Sequence, residues 1–429
     1  MDFFEFLNTA VTPYHTVDAL KSFFKANSFT EIELGANLEP AKAYFVCREA
    51  SIIAFRTPQK WSDESKFKIA LAHTDFPTLK ISPNPDVVNA GVCTLHTEVY
   101  GSPLYTSWLD RDLGYAGMLA YVDAGSSTLK TKLFRGEKLF RIPQLAVHLN
   151  RGVNQDGLKV NPQIDFNALW ACASDSKASE NRKNLFVKAL EKELPEGSRL
   201  IDFDVQLFDA QSANRGGFND EWIYSGRLDN LSSCHAMAEA MVSAKSAESD
   251  CLVACFFNNE EVGSTTREGA ASNFLQSVLD SIASLRSAQN DESHSSLASR
   301  LSSSIALSID MAHAEHPNHT EKHELNHAPL LGKGIVLKTN SQKRYASDLM
   351  SSAQLRLLCE KAEIPLQVFI MRNDMPCGST VGPTVSANLG IPTVDIGEPM
   401  LSMHSIREMM AASDHEDMIK LVKALYCYS

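Results

Sequence analysis

The chain has 429 residues, of which 44% are hydrophobic and 21% are charged, which is enough for two or three domains with a substantial core. Its formal net charge of -12 argues against nonspecific binding to nucleic acid, and no run approaches the ~18 apolar residues of a membrane span. Nine scattered cysteines, several of them inside apolar runs, indicate buried thiols in a reducing compartment, so we expect a cytoplasmic protein that contacts neither nucleic acid nor membrane.

The first half of the chain begins with helical spacing of apolar residues, up to about residue 34. Short strands are predicted at 43–46, 51–55 and 67–72. From residue 78 to about 224 the pattern changes to short strand-like segments separated by turn residues, and we predict strands at 92–100, 104–109, 118–122 and 200–208. Residues 171–192, rich in charge and serine, are interpreted as helix or loop.

After residue 227 strands and helices alternate. The predicted helices are 229–241, 269–285, 347–362 and 413–426, and the predicted strands are 251–257, 304–309, 334–338, 366–371 and 393–396. The polar segment 284–304 is read as a loop or a helix end. Alternation of this kind predicts an α/β fold, with a mostly parallel sheet and helices on both faces. We assign residues 1–76 and 226–429 to this α/β domain and 77–225 to an inserted β-rich domain.

Two adjacent carboxylates, Glu260 and Glu261, directly follow the apolar segment 251–257. Each would cost several kcal/mol if it were buried without a partner. Adjacent side chains on an extended segment point in different directions, so the pair can serve two partners. One pairing of that kind is a metal ligand beside a proton-transfer base, although pairs of glutamates are also common on solvated surfaces.

Other candidate ligands occupy matching positions. His73 and Asp310 each follow a predicted strand, as Glu261 does, while His404 follows a strand by a short loop and Asp229 begins a helix. Ligands bind at the carboxyl ends of strands in open α/β sheets, so these side chains are expected to converge.

Two imidazoles and three carboxylates can hold two divalent ions if one carboxylate bridges them. Nitrogen and oxygen ligands without a thiolate favour zinc, with cobalt or manganese as alternatives. A site with ions ~3.5–4 Å apart can bind a bridging hydroxide and polarise a carbonyl. Glu260 is then placed to move the proton, and Asp75 to fix the imidazole of His73.

Five segments together resemble the aspartyl aminopeptidase family, a group of co-catalytic dinuclear metallo-aminopeptidases. They are His73-Thr-Asp75, Arg227-Leu-Asp229-Asn230, Asn259-Glu260-Glu261-Val-Gly263-Ser264, Asp310-Met-Ala-His313 and Met403-His404-Ser405. The resemblance implies that His73 and Asp310 bind one metal and that Glu261 and His404 bind the other. It further implies that Asp229 bridges the metals, that Glu260 is the general base and that Asp75 orients His73.

The resemblance also implies an assembly and a substrate. The inserted domain would mediate dimerisation, the dimers would build a homo-dodecamer, and His148 would reach the active site of a neighbouring subunit. Lys338 would meet the acidic side chain of a peptide with N-terminal Asp or Glu, and further pocket residues would be Met311, His313, Tyr345, Gly378 and Ser379. Two alternatives remain: the same machinery with broad or neutral-residue specificity, and a non-catalytic assembly protein that retains the fold.

Overall fold

The computed structural model describes residues 1–62, 65–172, 184–285 and 296–427. They form two compact units. The larger unit contains Met1–Phe76, Ala213–Met403 and Glu408–Ser429, and the smaller contains Pro77–Ser212 and His404–Arg407. Within the described ranges, no helix has the length and apolar character needed to cross a membrane.

The helices in chain order are α1 (Phe3–Thr9), α2 (Pro13–Ala26), α3 (Val153–Asp156), α4 (Pro162–Asp165), α5 (Leu185–Glu191), α6 (Leu228–Ser243), α7 (Phe274–Ser284), α8 (Leu297–Ser302), α9 (Leu349–Lys361), α10 (Val381–Leu389) and α11 (Ala412–Cys427). Local chemistry explains several of their starts. Thr12 caps α2, with Pro13 at the first helical position, and Asp348 and Ser351 form a capping box on α9.

The strands in chain order are β1 (Thr30–Glu31), β2 (Ala43–Arg48), β3 (Ser51–Arg56), β4 (Phe67–His73), β5 (Thr78–Asn89), β6 (Val92–Tyr100), β7 (Leu113–Val122), β8 (Lys130–Arg135), β9 (Ala168–Cys172), β10 (Arg199–Asp209), β11 (Asn214–Gly216), β12 (Trp222–Ser225), β13 (Cys251–Phe257), β14 (Ile305–Ile309), β15 (Ala312–His313), β16 (Ile335–Thr339), β17 (Leu366–Ile370), β18 (Thr393–Gly397), β19 (Pro399–Leu401) and β20 (Glu408–Ala411).

The larger unit is built on a mixed sheet. Nine of the described strands follow the order β1-β2-β3-β13-β4-β14-β18-β16-β17, and the central run from β13 to β18 is parallel. All seven residues of β13 are buried, as expected for a strand covered on both faces. Its alternate residues enter two separate cores, one containing residues of α2, α6 and α11 and the other containing residues of α7 and α10. Helices on both faces are therefore confirmed.

A second, smaller sheet also belongs to the larger unit. Among the described strands its order is β11-β12-β20-β19-β15. The larger unit thus resumes at Ala213, whereas the sequence assigned residues up to 225 to the insertion. The short strands β11 and β12 explain the difference: β12 pairs with β20 near the end of the chain, and β11 pairs with β12 rather than with the inserted strands.

The smaller unit is an antiparallel sheet with its own core. Within the part of the chain that the structure describes, its order is β8-β7-β10-β5-β6-β9. Phe166, Phe186 and Leu207 are among the buried side chains that fill this core. The unit also includes the segment His404–Arg407, whose Arg407 forms an ion pair with Asp209 at 3.4 Å.

Several boundaries differ from those predicted. The segment 104–109 is not a strand, since Tyr105–Trp108 form a 3-10 helix. Strand β5 and helix α10 were not predicted at all. Of the segments 171–192 and 284–304, residues 173–183 and 286–295 lie outside the described residues, and the remainder includes α5 and α8.

Candidate active site

Three of the predicted ligands come together at one edge of the main sheet. His73 ends β4, and Asp310 follows β14, its parallel neighbour. The Nε2 atom of His73 lies 3.4 Å from Oδ1 of Asp229 and 3.7 Å from Oδ1 of Asp310. All three side chains are buried, and their ligand atoms lie within 4.8 Å of one another. Parallel strands thus bring residues that are far apart in sequence to one point.

Asp229 is held by a distorted start of α6. Asp229 and Asn230 have non-helical backbone angles, and the peptide bond between them is cis. The amide of Asp229 donates to Oε2 of Glu408 at 3.1 Å. The side-chain amide of Asn230 donates to the carbonyl of Ile309 at 2.8 Å. These two bonds fix the backbone from which the Asp229 carboxylate projects. The sequence did not predict this positioning role for Glu408 or Asn230.

The two adjacent glutamates lie on a short 3-10 helix, Glu260–Val262, just after β13. Asn259 precedes it with a φ of 63°, so the chain turns sharply as it leaves the strand. Because β13 is parallel to β4, with Phe257 opposite His73, this turn reaches the same edge. Ligand atoms of His73, Glu260 and Glu261 lie within 4.8 Å of one another. Both glutamates are half-buried.

Asp75 contacts both parts of this cluster. Its carbonyl is 3.0 Å from Nδ1 of His73, and its Oδ1 is 3.4 Å from the same atom. A carbonyl can only accept, so Nδ1 carries a hydrogen and donates it to Asp75, while Nε2 faces Asp229 and Asp310. The carboxylate of Asp75 also accepts from the amides of Glu260 and Glu261, each at 3.1 Å.

The electrostatics of the cluster favour a cation. Burial raises the pKa of Glu260 to about 8; the charge of His73 opposes this, and Asp310, Asp75 and Asp229 add to it. Burial opposes protonation of His73, but its bonds to the three aspartates outweigh burial and raise its pKa well above the usual value.

A buried thiol lies near this cluster without joining it. The Sγ atom of Cys234 donates to the carbonyl of His73 at 3.0 Å. Burial raises the pKa of this thiol to about 12, so it is neutral and is not a thiolate ligand. The available donors are therefore imidazole nitrogen and carboxylate oxygen, and this set fits a divalent ion such as zinc.

His404 and His148 belong to the smaller unit. Nδ1 of His404 is 3.0 Å from the carbonyl of Ser102, which fixes that nitrogen as the donor and leaves Nε2 available as a ligand atom. His148 is exposed in a turn rather than in a strand. The roles of both histidines stay predictions.

The predicted pocket residues differ in exposure. Met311, Lys338 and Tyr345 are buried, His313 is half-buried, and Gly378 and Ser379 are exposed. His313 lines a cavity of about 240 Å³ whose other walls include Phe369, Arg372 and Met403. Lys338 does not line this cavity. Its Nζ donates to the carbonyls of Asp310 and Met311 at 2.9 and 3.1 Å, beside the candidate metal cluster.

Comparisons with known proteins identify the family of this chain. The family described as aminopeptidase I zinc metalloprotease (M18) matches residues 6–426. The chain belongs to the M18 family. Aspartyl aminopeptidase 4 of Saccharomyces cerevisiae is 36% identical over 460 residues, covering 99% of this chain and 94% of that protein. The chain is therefore a metal-dependent aminopeptidase, and the family resemblance seen in its motifs is confirmed.

Solved structures of M18 relatives have the same fold. The structure of the Ape4 and Nbr1 complex superposes with a TM-score of 0.92 at 33% identity, covering 99% of this chain and 84% of that one. The mApe1 dodecamer of Saccharomyces cerevisiae superposes with a TM-score of 0.84 at 25% identity, covering 99% and 95%. The α/β fold with an inserted sheet is thus shown for this M18 chain.

Proposed function

We propose that this chain removes unblocked N-terminal Asp and Glu residues from peptides. The position of Lys338 carries this proposal. Its side chain is only 2% exposed, and two carbonyl acceptors hold its ammonium beside Asp310. An ammonium has three N–H donors, so one can still meet a substrate carboxylate. A neutral substrate side chain would leave that buried donor without a partner, which favours acidic substrates. The aspartyl aminopeptidase name of the yeast relative gives further support.

The proposed mechanism assigns a separate role to each side chain of the site. His73 and Asp310 would hold one divalent ion, Glu261 and His404 the other, and Asp229 would bridge them. Bound there, two zinc ions would supply the Lewis acidity that activates water and polarises the scissile carbonyl.

Glu260 lies beside this ligand set, where it would accept a proton from water and then pass it to the leaving amine. Asp75 would keep the His73 tautomer and the backbone of Glu260 in place, through the bonds that both residues make to it.

A panel of chromogenic amides tests the specificity. Aspartyl and glutamyl substrates should be cleaved with a higher kcat/KM than leucyl substrates. Replacing the ammonium in Lys338→Met should lower kcat/KM for the aspartyl substrate roughly 10- to 100-fold, the range of a hydrogen bond to a charged group, with a smaller effect on the leucyl substrate. A wild-type preference for leucyl substrate would reject the acidic specificity in favour of the broad or neutral alternative.

We also propose that the chain forms a homo-dodecamer of dimers in the cytoplasm. The dodecameric M18 relative supports the assembly. The smaller unit carries exposed apolar side chains around His148, with Leu145 60%, Val147 50% and Leu149 74% exposed, as expected of a surface that binds another copy. Nine free cysteines support a reducing compartment. Light scattering should give twelve times the chain mass of 47.2 kDa, and a stable, active monomer would contradict the assembly.

A further inference from the structure

Asp395 lies opposite Lys338 in the main sheet. Strands β16 and β18 are antiparallel, with Val336 opposite Gly397 and Leu337 opposite Ile396. Continuing this register by one residue sets Lys338 opposite Asp395, and directly opposed side chains lie on the same face of a sheet. Lys338 is 2% exposed and Asp395 is fully buried. The two residues therefore form a buried cross-strand pair of opposite charge.

The carboxylate of Asp395 also holds two neighbouring segments. Its Oδ1 accepts from Oγ1 of Thr380, the N-cap of α10, at 2.5 Å. Its Oδ2 accepts from the amide of Ala346, also at 2.5 Å. The backbone amide of Asp395 donates to the hydroxyl of Ser347 at 2.9 Å, so the segment that follows Tyr345 is held at two points.

Tyr345 connects this network to the lysine. The Nζ atom of Lys338 lies 5.3 Å from the centre of the Tyr345 ring, within the range of a cation–π contact. The amide that Asp395 binds belongs to the residue next to Tyr345. A single carboxylate therefore fixes the segment that carries the ring and also supplies the charge opposite the ammonium.

The carbonyls that bind Lys338 do not neutralise its charge. They provide only partial charges, whereas the carboxylate of Asp395 attracts the ammonium of Lys338 with its own charge. Burial raises the pKa of Asp395, and the charge of Lys338, with the bonds from Thr380 and Ala346, acts in the opposite direction. The charge of Lys338 thus favours the carboxylate form of Asp395.

We propose that Asp395 is a positioning residue for substrate selection, which holds the Lys338 ammonium and the Tyr345 ring in place. Asp395 does not touch the substrate itself. The inference rests on the proposed function, in which Lys338 meets the acidic side chain of the substrate. It goes further, because it makes the preference for acidic residues depend on a carboxylate from a different strand.

The test compares selectivity rather than activity alone. In Asp395→Asn, zinc-loaded and full length, kcat/KM for an aspartyl amide should fall roughly 10- to 100-fold, mainly through KM, while a leucyl amide changes less than threefold. The zinc content per chain should remain that of the wild type. Equal falls for the two substrates would mean a merely structural role and would overturn the inference.

A second variant keeps the inference testable if Asp395→Asn does not fold. Thr380→Val removes one hydrogen bond to the same carboxylate and should lower kcat/KM for the aspartyl amide roughly 3- to 10-fold, with the leucyl amide unchanged. The matched control is Thr393→Val, since Oγ1 of Thr393 donates to the carbonyl of Ile391 at 3.0 Å and not to Asp395. This control should keep the wild-type ratio, and an equal effect of the two threonine variants would overturn the inference.

The two proposals fail in different ways. If the wild-type enzyme prefers leucyl amides, the proposed acidic specificity is wrong, and no variant is needed to show it. If the wild-type enzyme prefers aspartyl amides and Asp395→Asn keeps the same ratio of aspartyl to leucyl kcat/KM, only the role of Asp395 is wrong. A double-mutant cycle adds a further check, because in Lys338→Met the change of Asp395 to Asn should no longer alter the ratio.

Discussion

Asp75 forms hydrogen bonds to three other residues of this site. Its carbonyl fixes the tautomer of His73, and its carboxylate accepts from the amides of Glu260 and Glu261. The sequence predicted the first contact, because Asp75 lies two residues after the histidine. The second contact joins residues 185 and 186 positions apart and has no local signal. Asp75 therefore links the imidazole to the backbone of both glutamates.

Replacing Asp75 with Asn should weaken the whole cluster. The side-chain amide keeps one acceptor oxygen but turns a donor group toward a backbone amide, so one bond is lost. We expect kcat/KM or zinc affinity to fall about 10- to 100-fold, as for other residues that orient metal ligands. Activity and zinc per chain should be measured at matched free zinc.

The control for this variant is Asp2→Asn. Asp2 also accepts from a backbone amide, that of Glu5 at the start of α1, and Asn is as good a helix cap as Asp. This control should keep full activity. Wild-type activity and zinc binding in Asp75→Asn would contradict the linking role of Asp75.

The adjacent glutamates should respond differently to the same chemical change. Glu260→Gln removes the proposed proton acceptor and should lower kcat roughly 100- to 10,000-fold with normal zinc content. Glu261→Gln removes a proposed ligand charge and should lower zinc content as well as activity. The pair thus provides its own matched control, measured by kinetics and metal analysis. Loss of zinc to the same extent in both variants would reject the division of roles.

At the scale of elements, buried strands were the most predictable part of the chain. Residues 251–257 form β13 as predicted, because a short apolar run bounded by polar residues is typical of a fully buried strand. Helix α10 was missed because its first turn contains Gly382 and Pro383, although proline is tolerated there. The tertiary contacts of Thr380 and Asp395 hold this helix start, and the order of residues alone does not reveal them.

Gly382 offers a test of this helix start. A Cβ atom at this position would lie 2.6 Å from Oδ2 of Asp395 and 2.8 Å from Oγ of Ser308, both buried. Gly382→Ala should therefore lower the free energy of unfolding by about 1–3 kcal/mol, the usual cost of overpacking. Thermal unfolding would measure it.

Gly378→Ala is the matched control for stability, since a Cβ there meets nothing within 4 Å. Its unfolding midpoint should equal that of the wild type. If both alanine variants unfold at the same temperature as the wild type, the packing of α10 against β18 leaves room for a Cβ atom at position 382, and the inference is wrong.

At the scale of the whole molecule, the sequence indicated which residues are candidate ligands, but not which strands and distant residues surround them. The candidate ligands could be found because each follows a strand or begins a helix, and strand ends meet at one edge. The antiparallel pairing of β16 with β18 could not be found, because strand order is set by packing over the full sheet. The same is true of Glu408, which reaches Asp229 across 179 positions of sequence.

A buried histidine chain connects three distant parts of the larger unit. Nε2 of His235 is 2.9 Å from the carbonyl of Met1, and its Nδ1 is 3.0 Å from Nε2 of His415. Nδ1 of His415 is 3.0 Å from Oε1 of Glu398. Since carbonyl and carboxylate oxygens accept, Nε2 of His235 donates to Met1 and Nδ1 of His415 donates to Glu398.

Acid should destabilise the molecule through this residue. Burial, and then the charge of His415, lower the pKa of His235 from 6.5 to about 3. The unfolded chain thus binds more protons between these values, and the stability from His235 is complete above pH 6.5 and is lost as the pH falls toward 3. The slope is about 1.4 kcal/mol per pH unit, or about 2 kcal/mol between pH 6.5 and 5.

Denaturant unfolding of His235→Gln against pH would test this. Glutamine can donate to Met1 as His235 does but does not titrate, so the loss of stability of this variant from pH 6.5 to 5 should be about 2 kcal/mol smaller than that of the wild type. His319→Gln is the control, because that side chain is 61% exposed and should keep the wild-type slope. If all three proteins lose stability equally, acid unfolding is driven by other groups, and the buried histidine chain does not limit the acid tolerance of the molecule.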